Sequence, residues 1–124
     1  MRLFSKPKYS SKRTVVNGST FDSKAEAAYY IELALLLDKG DLISVELHPK
    51  VYLTTSRILY KPDFKIKDKF DRVWYVDVKG FETPVFKIKK RLWKHYGDGC
   101  LRLVKKSGST FKLVEEVISS SCGL

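Results

Sequence analysis

The stretch Trp74-Tyr75-Val76-Asp77-Val78-Lys79 constrains the chain more than any other. An apolar run of this length reads as a strand, and residues two apart on a strand point to the same side of its sheet. Asp77 and Lys79 therefore share a face at the strand's end. Burying such charges is costly without a partner or a metal ion. An acid-x-Lys triplet alone arises by chance about once in a chain of this length and ordinary composition, so its surroundings have to carry the weight. They do so through Pro62-Asp63-Phe64, in the strand before it. If Lys67 pairs with Arg72 across the polar turn Asp68-Lys69-Phe70-Asp71, Asp63 falls opposite Val76, within one residue of Asp77. Two carboxylates side by side repel each other, and a divalent cation removes that cost.

The neighbouring segments make a frame for these strands. Val15 to Phe21 reads as a short hairpin, because Asn17-Gly18 suits a type I′ turn. Ser23-Lys24-Ala25-Glu26 has the form of a capping box and opens an Ala- and Leu-rich helix that ends near Lys39-Gly40. Ile43, Val45 and Leu47 alternate with polar residues as in a half-buried strand, which can continue past Pro49 as Val51-Tyr52-Leu53. Strands over 57–67 and 72–79 complete an antiparallel meander of three. Thr83-Pro84 starts a second helix, Gly97 and Gly99 end it, and Val85, Ile88, Leu92 and Tyr96 form its apolar stripe. Leu101 to Val104 is a further strand, and a short helix around 114–118 closes the domain. The expected class is α/β, ordered helix, three strands, helix, strand, helix. Residues 1–20 are expected to be a basic arm and hairpin, and residues 21–124 a single domain.

Charge narrows the partner. Among 124 residues, 24 Lys and Arg against 14 Asp and Glu give a formal charge of +10. Such a surplus favours a polyanion through counterion release, with nucleic acid the first candidate. Arg2, Lys6, Lys8, Lys12 and Arg13 all precede the first acid, Asp22. A second cluster, Lys87, Lys90, Arg91 and Lys94, forms a basic stripe at helical spacing, placed to run beside a DNA backbone. Trp93 and Tyr96 are expected in the core or at a dimer contact. Cys100 and Cys122 are too far apart for a CxxC site, and with two histidines a Cys-rich zinc site is excluded. No stretch approaches the ~18 apolar residues of a membrane span, and Met1 to Phe4 leads into lysines, not a signal peptide. A cytoplasmic location is expected.

Phosphodiester hydrolysis uses these residue types. Carboxylate oxygens hold Mg²⁺, which polarises a phosphate and acidifies a bound water, while a lysine orients that water or stabilises charge on the pentavalent phosphate. Glu26, in the first turn of the long helix, can reach the same ion, although the capping box explains it equally well.

In combination, Phe21-Asp22-Ser23-Lys24-Ala25-Glu26, His48-Pro49, Lys61-Pro62-Asp63-Phe64 and Asp77-Val78-Lys79-Gly80 resemble the ordered motifs of PD-(D/E)XK nucleases. Within that superfamily the likeness is to short phage-type endonucleases, archaeal-type Holliday-junction resolvases and the end-cleaving nuclease subunit of some transposases. It runs from about Phe21 to Lys94. It implies a restriction-endonuclease-like core, metal ligation by Glu26, Asp63, Asp77 and the Val78 carbonyl, and Lys79 as catalytic base or transition-state stabiliser. Mg²⁺ is the implied cofactor, with Mn²⁺ as substitute. Asp77 stands where glutamate is common, and His48 where glutamine is frequent; His48 is an accessory candidate. The expected activity is a structure-specific endodeoxyribonuclease on branched DNA such as Holliday junctions, acting as a homodimer. The alternatives are a non-catalytic DNA-binding subunit derived from a nuclease, or a transposon-end or duplex-specific endonuclease.

Overall fold

The computed structural model describes residues 14–120 apart from Asn17. The basic arm with Lys6, Lys8, Lys12 and Arg13, the Asn17 turn position and Cys122 lie outside the described residues. The described chain is a mixed α/β fold whose elements run β1 (Thr14–Val16), β2 (Ser19–Phe21), α1 (Lys24–Lys39), β3 (Leu42–Leu47), β4 (Val51–Tyr52), β5 (Leu59–Tyr60), β6 (Phe64–Asp68), β7 (Val73–Val78), α2 (Pro84–Tyr96), β8 (Cys100–Ser107) and β9 (Thr110–Ile118). The main sheet has the order β3-β6-β7-β8-β9. Its neighbours are antiparallel except β7 and β8, which are parallel and joined through α2. The pairs β1-β2 and β4-β5 form two small sheets.

Both helices begin where their caps put them. The Ser23 hydroxyl accepts the Glu26 amide at 3.1 Å, and the Thr83 hydroxyl accepts the Phe86 amide at 3.0 Å. Gly40 ends α1 in the left-handed conformation, φ 84°, which glycine adopts without a Cβ penalty.

Alternation along β7 divides the interior. Val76 packs with Phe21, Phe64, Ile66 and Val104 under α1, while Tyr75 packs with Phe86, Trp93, Leu101 and Leu103 under α2. Asp77, two residues beyond Tyr75, shares the α2 face. The β4-β5 hairpin docks on that face too, with Val51, Leu53 and Tyr60 joining the Trp93 cluster.

Several expectations need correction. The expected C-terminal helix around 114–118 is the second half of strand β9. Ser107 pairs with Thr110 around Gly108, whose φ of 62° suits a tight hairpin, and Val114, Val117 and Ile118 are β-branched residues that favour a strand. The expected strand over 57–67 is two strands, β5 and β6, broken at buried Pro62. Past Pro49 the chain leaves the main sheet, and β4 pairs with β5 instead. Ile43 is exposed and Leu42 buried, because the β3–β6 register shifts between Leu42 and Ser44 and reverses the inward phase.

The apolar stripe expected on α2 also faces mostly outward, with Leu92 its one member packed against the core. Phe86 and Trp93 are the buried residues of α2, whereas Val85, Ile88 and Tyr96 are more than half exposed. Trp93 at 0% exposure donates its indole N–H to the Gly99 carbonyl at 2.8 Å, and its ring lies where a Cβ on residue 97 would clash. The two large rings bury more area than Val, Ile and Tyr could on the same helix.

Candidate active site

The β6–β7 register decides how the two aspartates meet. Phe64 pairs with Val76 and Lys67 with Val73, one residue beyond the register expected from a Lys67–Arg72 pair. The turn is longer than expected: the Asp68 amide donates to the Arg72 carbonyl, and Asp71 adopts φ 64°. Continued by one residue, the observed register sets Asp63 directly across from Asp77. Both project to the α2 face, where their carboxyl groups line the same cleft.

Each member of the pair has few donors. Asp63 Oδ2 accepts the Val78 amide at 2.7 Å, and Asp77 Oδ2 accepts the Tyr60 hydroxyl. Lys79 Nζ stands 3.4 Å from Asp77 Oδ2 and 4.2 Å from the centre of the Phe86 ring. The Lys79 amide donates to the Val104 carbonyl at 2.8 Å, which fixes its backbone to β8. Burial raises the proton affinity of Asp63, and the charge of Asp77, its hydrogen bond and the charge of Glu26 raise it further; the Val78 amide opposes them.

Glu26 is buried at 3% exposure beside this pair, but its contacts lie elsewhere. Its Oε2 is 2.7 Å from His48 Nε2, and its Oε1 accepts the Asp22 amide at 3.4 Å. Burial raises the Glu26 pKa, with His48 opposing. Ligand atoms of Asp22, Glu26 and His48 all lie within 4.8 Å of one another. His48, at φ 50°, donates its backbone amide to the Asp63 carbonyl at 2.9 Å. The accessory histidine thus touches Glu26 with its ring and the Asp63 backbone with its amide. Of the four expected ligands, Asp63 and Asp77 lie together, Val78 meets Asp63 through its amide and not its carbonyl, and Glu26 adjoins them through His48.

Two open clefts meet at these residues. One of about 420 Å³ is lined by Tyr60, Lys61, Asp63, Asp77, Lys79 and Lys89 among others. The second, about 520 Å³, reaches Glu26, Asp63, Asp77, Val78 and Lys79 from the α1 side. Hard carboxylate oxygens, buried against each other and short of donors, suit a divalent cation such as Mg²⁺ or Mn²⁺.

The family profile of DUF1064, described as a protein of unknown function, matches residues 6–110, most of the chain. The chain belongs to the DUF1064 family. No curated protein sequence matches it. The matched span takes in all of Glu26, His48, Asp63, Asp77 and Lys79. No helix among the described residues is long and apolar enough to cross a membrane.

The expected basic stripe is only partly available. Lys90 is 2.9 Å from both Glu82 and Glu115, tying α2 to the loop before it and to β9; these two bonds raise its pKa. It is a structural cation. Lys87, Arg91 and Lys94 are exposed. Tyr60 and Lys89 were not singled out by the sequence pattern. Tyr60 lies in a two-residue strand that pattern alone merges with its neighbours, and Lys89 is one basic residue among several on α2.

Proposed function

We propose that this protein is a divalent-metal-dependent endodeoxyribonuclease of the PD-(D/E)XK type. The observation that carries this reading is the juxtaposition of Asp63 and Asp77 across two antiparallel strands, with Lys79 on the same face in an open cleft. The order α1, antiparallel β3-β6-β7, α2, parallel β8 supports it, being the restriction-endonuclease-like arrangement once the β4-β5 hairpin is set aside as an insertion. A formal charge of +10 supports a DNA substrate.

Asp63 and Asp77 would hold the cation, with the Val78 carbonyl next to them and Glu26 completing the set on release from His48. When bound, Mg²⁺ polarises the scissile phosphate and acidifies an attacking water. Lys79 supplies positive charge where the pentavalent phosphate becomes more negative. Its ammonium group is held between Asp77 and the face of Phe86, in the lining of the cleft. Tyr60 donates to one oxygen of Asp77 and so fixes the carboxylate's plane. Cutting both strands of a branched duplex requires two such sites, so the acting species is a homodimer.

The test is cleavage of matched four-way junction, flap, duplex and single-stranded DNA in Mg²⁺, Mn²⁺ or EDTA. Cutting with either metal, none in EDTA, and preference for the junction are expected. Undiminished cutting in EDTA would contradict the mechanism. Equal binding and cutting of junction and duplex would leave a nuclease but remove the branched-DNA assignment.

A further inference from the structure

The cleft around Asp63 and Asp77 contains cations that the hydrolytic reading leaves without a task. Lys61, in the connection from β5 to β6, is exposed, and Lys89 on α2 is half-buried. Both line the cleft. Among the described residues neither takes part in an ion pair, although three carboxylates line the same space. Lys79 alone among the cleft's lysines has turned to an acid. Two cations that stand beside acids without closing on them remain available to a ligand.

Helical geometry separates Lys89 from the other basic residues of α2. At 100° per residue, with Phe86 and Trp93 facing inward, Val85 and Lys89 fall on one flank and Lys87, Arg91 and Lys94 on the other. Val85 and Lys89 both line the cleft, whereas Lys87, Arg91 and Lys94 do not. The basic stripe conspicuous in the sequence therefore faces away from the aspartates.

The charge of the lining suggests what the ligand is. Asp22, Asp63 and Asp77 stand against Lys61, Lys79 and Lys89, so the cleft is formally neutral. One divalent cation on the aspartates would leave it at +2, a charge that two successive phosphodiesters cancel. We infer that Lys61 and Lys89 grip the DNA backbone at this cleft on two successive phosphodiesters, and that the grip depends on the cation. This rests on the nuclease reading and adds to it where the strand runs: between the β5–β6 connection and the Val85 flank of α2. Both lysines bind phosphate, so they carry no sequence preference.

The experiment is fluorescence polarisation of a short labelled DNA duplex, in Ca²⁺ (which binds carboxylates without promoting cleavage) and in EDTA, across a salt series. The proteins are wild type, Lys61→Ala, Lys61→Ala/Lys89→Ala and Lys87→Ala/Arg91→Ala/Lys94→Ala. Wild type is expected to bind more tightly in Ca²⁺ than in EDTA. In Ca²⁺ the double variant should lose about tenfold in affinity, and its log–log salt slope should fall by roughly 1.8, about 0.9 for each phosphate no longer neutralised. In EDTA it should lose much less. The triple variant should weaken binding by the same factor in Ca²⁺ and in EDTA, because its residues lie away from the cation. Lys61→Ala, at an exposed position that cannot harm the fold, should show about half the change in slope. A double variant with wild-type affinity and slope in Ca²⁺ would overturn the inference, and continued Mg²⁺-dependent cutting would show that the nuclease reading survives. Wild-type binding no tighter in Ca²⁺ than in EDTA, together with no cutting in Mg²⁺, would sink both.

Discussion

Strand β6 has an aspartate at each end, and the two are treated differently. Asp68, 5% exposed, closes the turn to β7. Its Oδ1 accepts the amides of Phe70 and Arg72, both at 2.9 Å, and its Oδ2 accepts Arg72 Nε at 2.8 Å. Asp63, at the other end, receives one amide and faces Asp77, itself 3% exposed. The first is a carboxylate supplied with donors and serves the fold. The second faces another acid, an arrangement that weakens the folded protein. Burial alone does not define an acid's environment; what it faces does.

The largest effect that can break this comparison is on cleavage. Asp77→Asn and Asp63→Asn should each reduce cutting by at least about a thousandfold, roughly 4 kcal/mol in the barrier, while DNA affinity in EDTA is kept or raised. Lys79→Ala should lose catalysis more than metal binding. Asp68→Ala should cut normally at a temperature where it is folded. Rates from single-turnover assays decide it, and an Asp77→Asn protein cutting at the wild-type rate would mean the site is misplaced.

Stability should move in opposite directions at the two ends. In EDTA at neutral pH, Asp68→Ala should melt below wild type, because the turn loses its acceptor. Asp63→Asn should melt above wild type, because the repulsion from Asp77 is gone. Thermal melts monitored by circular dichroism test both signs.

A related expectation concerns pH. The raised pKa of Asp63 means that the folded state binds its proton more tightly than the unfolded chain. Its contribution to stability is full below the ordinary aspartate value of 3.8 and is lost as pH rises above it towards the raised folded value. The cation-free protein should therefore lose part of its stability between mildly acidic and neutral pH. Asp63→Asn should flatten that part of the curve, and an unchanged curve would remove the assigned cause.

The smallest effect belongs to Tyr60. Its ring is wedged against Phe86 and Trp93, with centroids 6.0 and 5.9 Å away, and its hydroxyl meets Asp77. Tyr60→Phe keeps the packing and removes one buried hydrogen bond, at a cost of about 1 kcal/mol in stability. Cutting should fall about tenfold, with a weaker apparent affinity for Mg²⁺ that excess metal partly restores. A loss that no metal concentration restores would point to another role.

How much of this the residues announced follows their physics. Caps are local, so Ser23 and Thr83 marked both helices without tertiary information. The Asp63–Asp77 meeting was legible to within one residue, and the error lay in a turn whose length depends on Asp71 adopting a positive φ. The inward face of α2 was not legible, since Val85-Ile88-Leu92-Tyr96 and Phe86-Trp93 are both helical arcs. Only the space beneath Trp93, kept open by Gly97, selects between them. Lys90 read as a DNA-binding residue because Glu115, its partner, belongs to a strand twenty-five residues away. The β9 strand had a signal in Ser107-Gly108-Ser109-Thr110 followed by β-branched residues, which a helical reading of 114–118 overrode.

Whether the Asp63–Asp77 pair binds a divalent cation can be measured without DNA. Wild type and Asp77→Asn should be melted at neutral pH across a Mn²⁺ series, against EDTA. A ligand that binds only the folded state stabilises it by about 2.7 kcal/mol at a hundred times its Kd, a rise of several degrees for a domain of this size. The wild-type midpoint should climb with Mn²⁺ while that of Asp77→Asn, higher at the start, stays level. Equal shifts in the two proteins, or none in wild type, would contradict the assignment of this pair as the metal site.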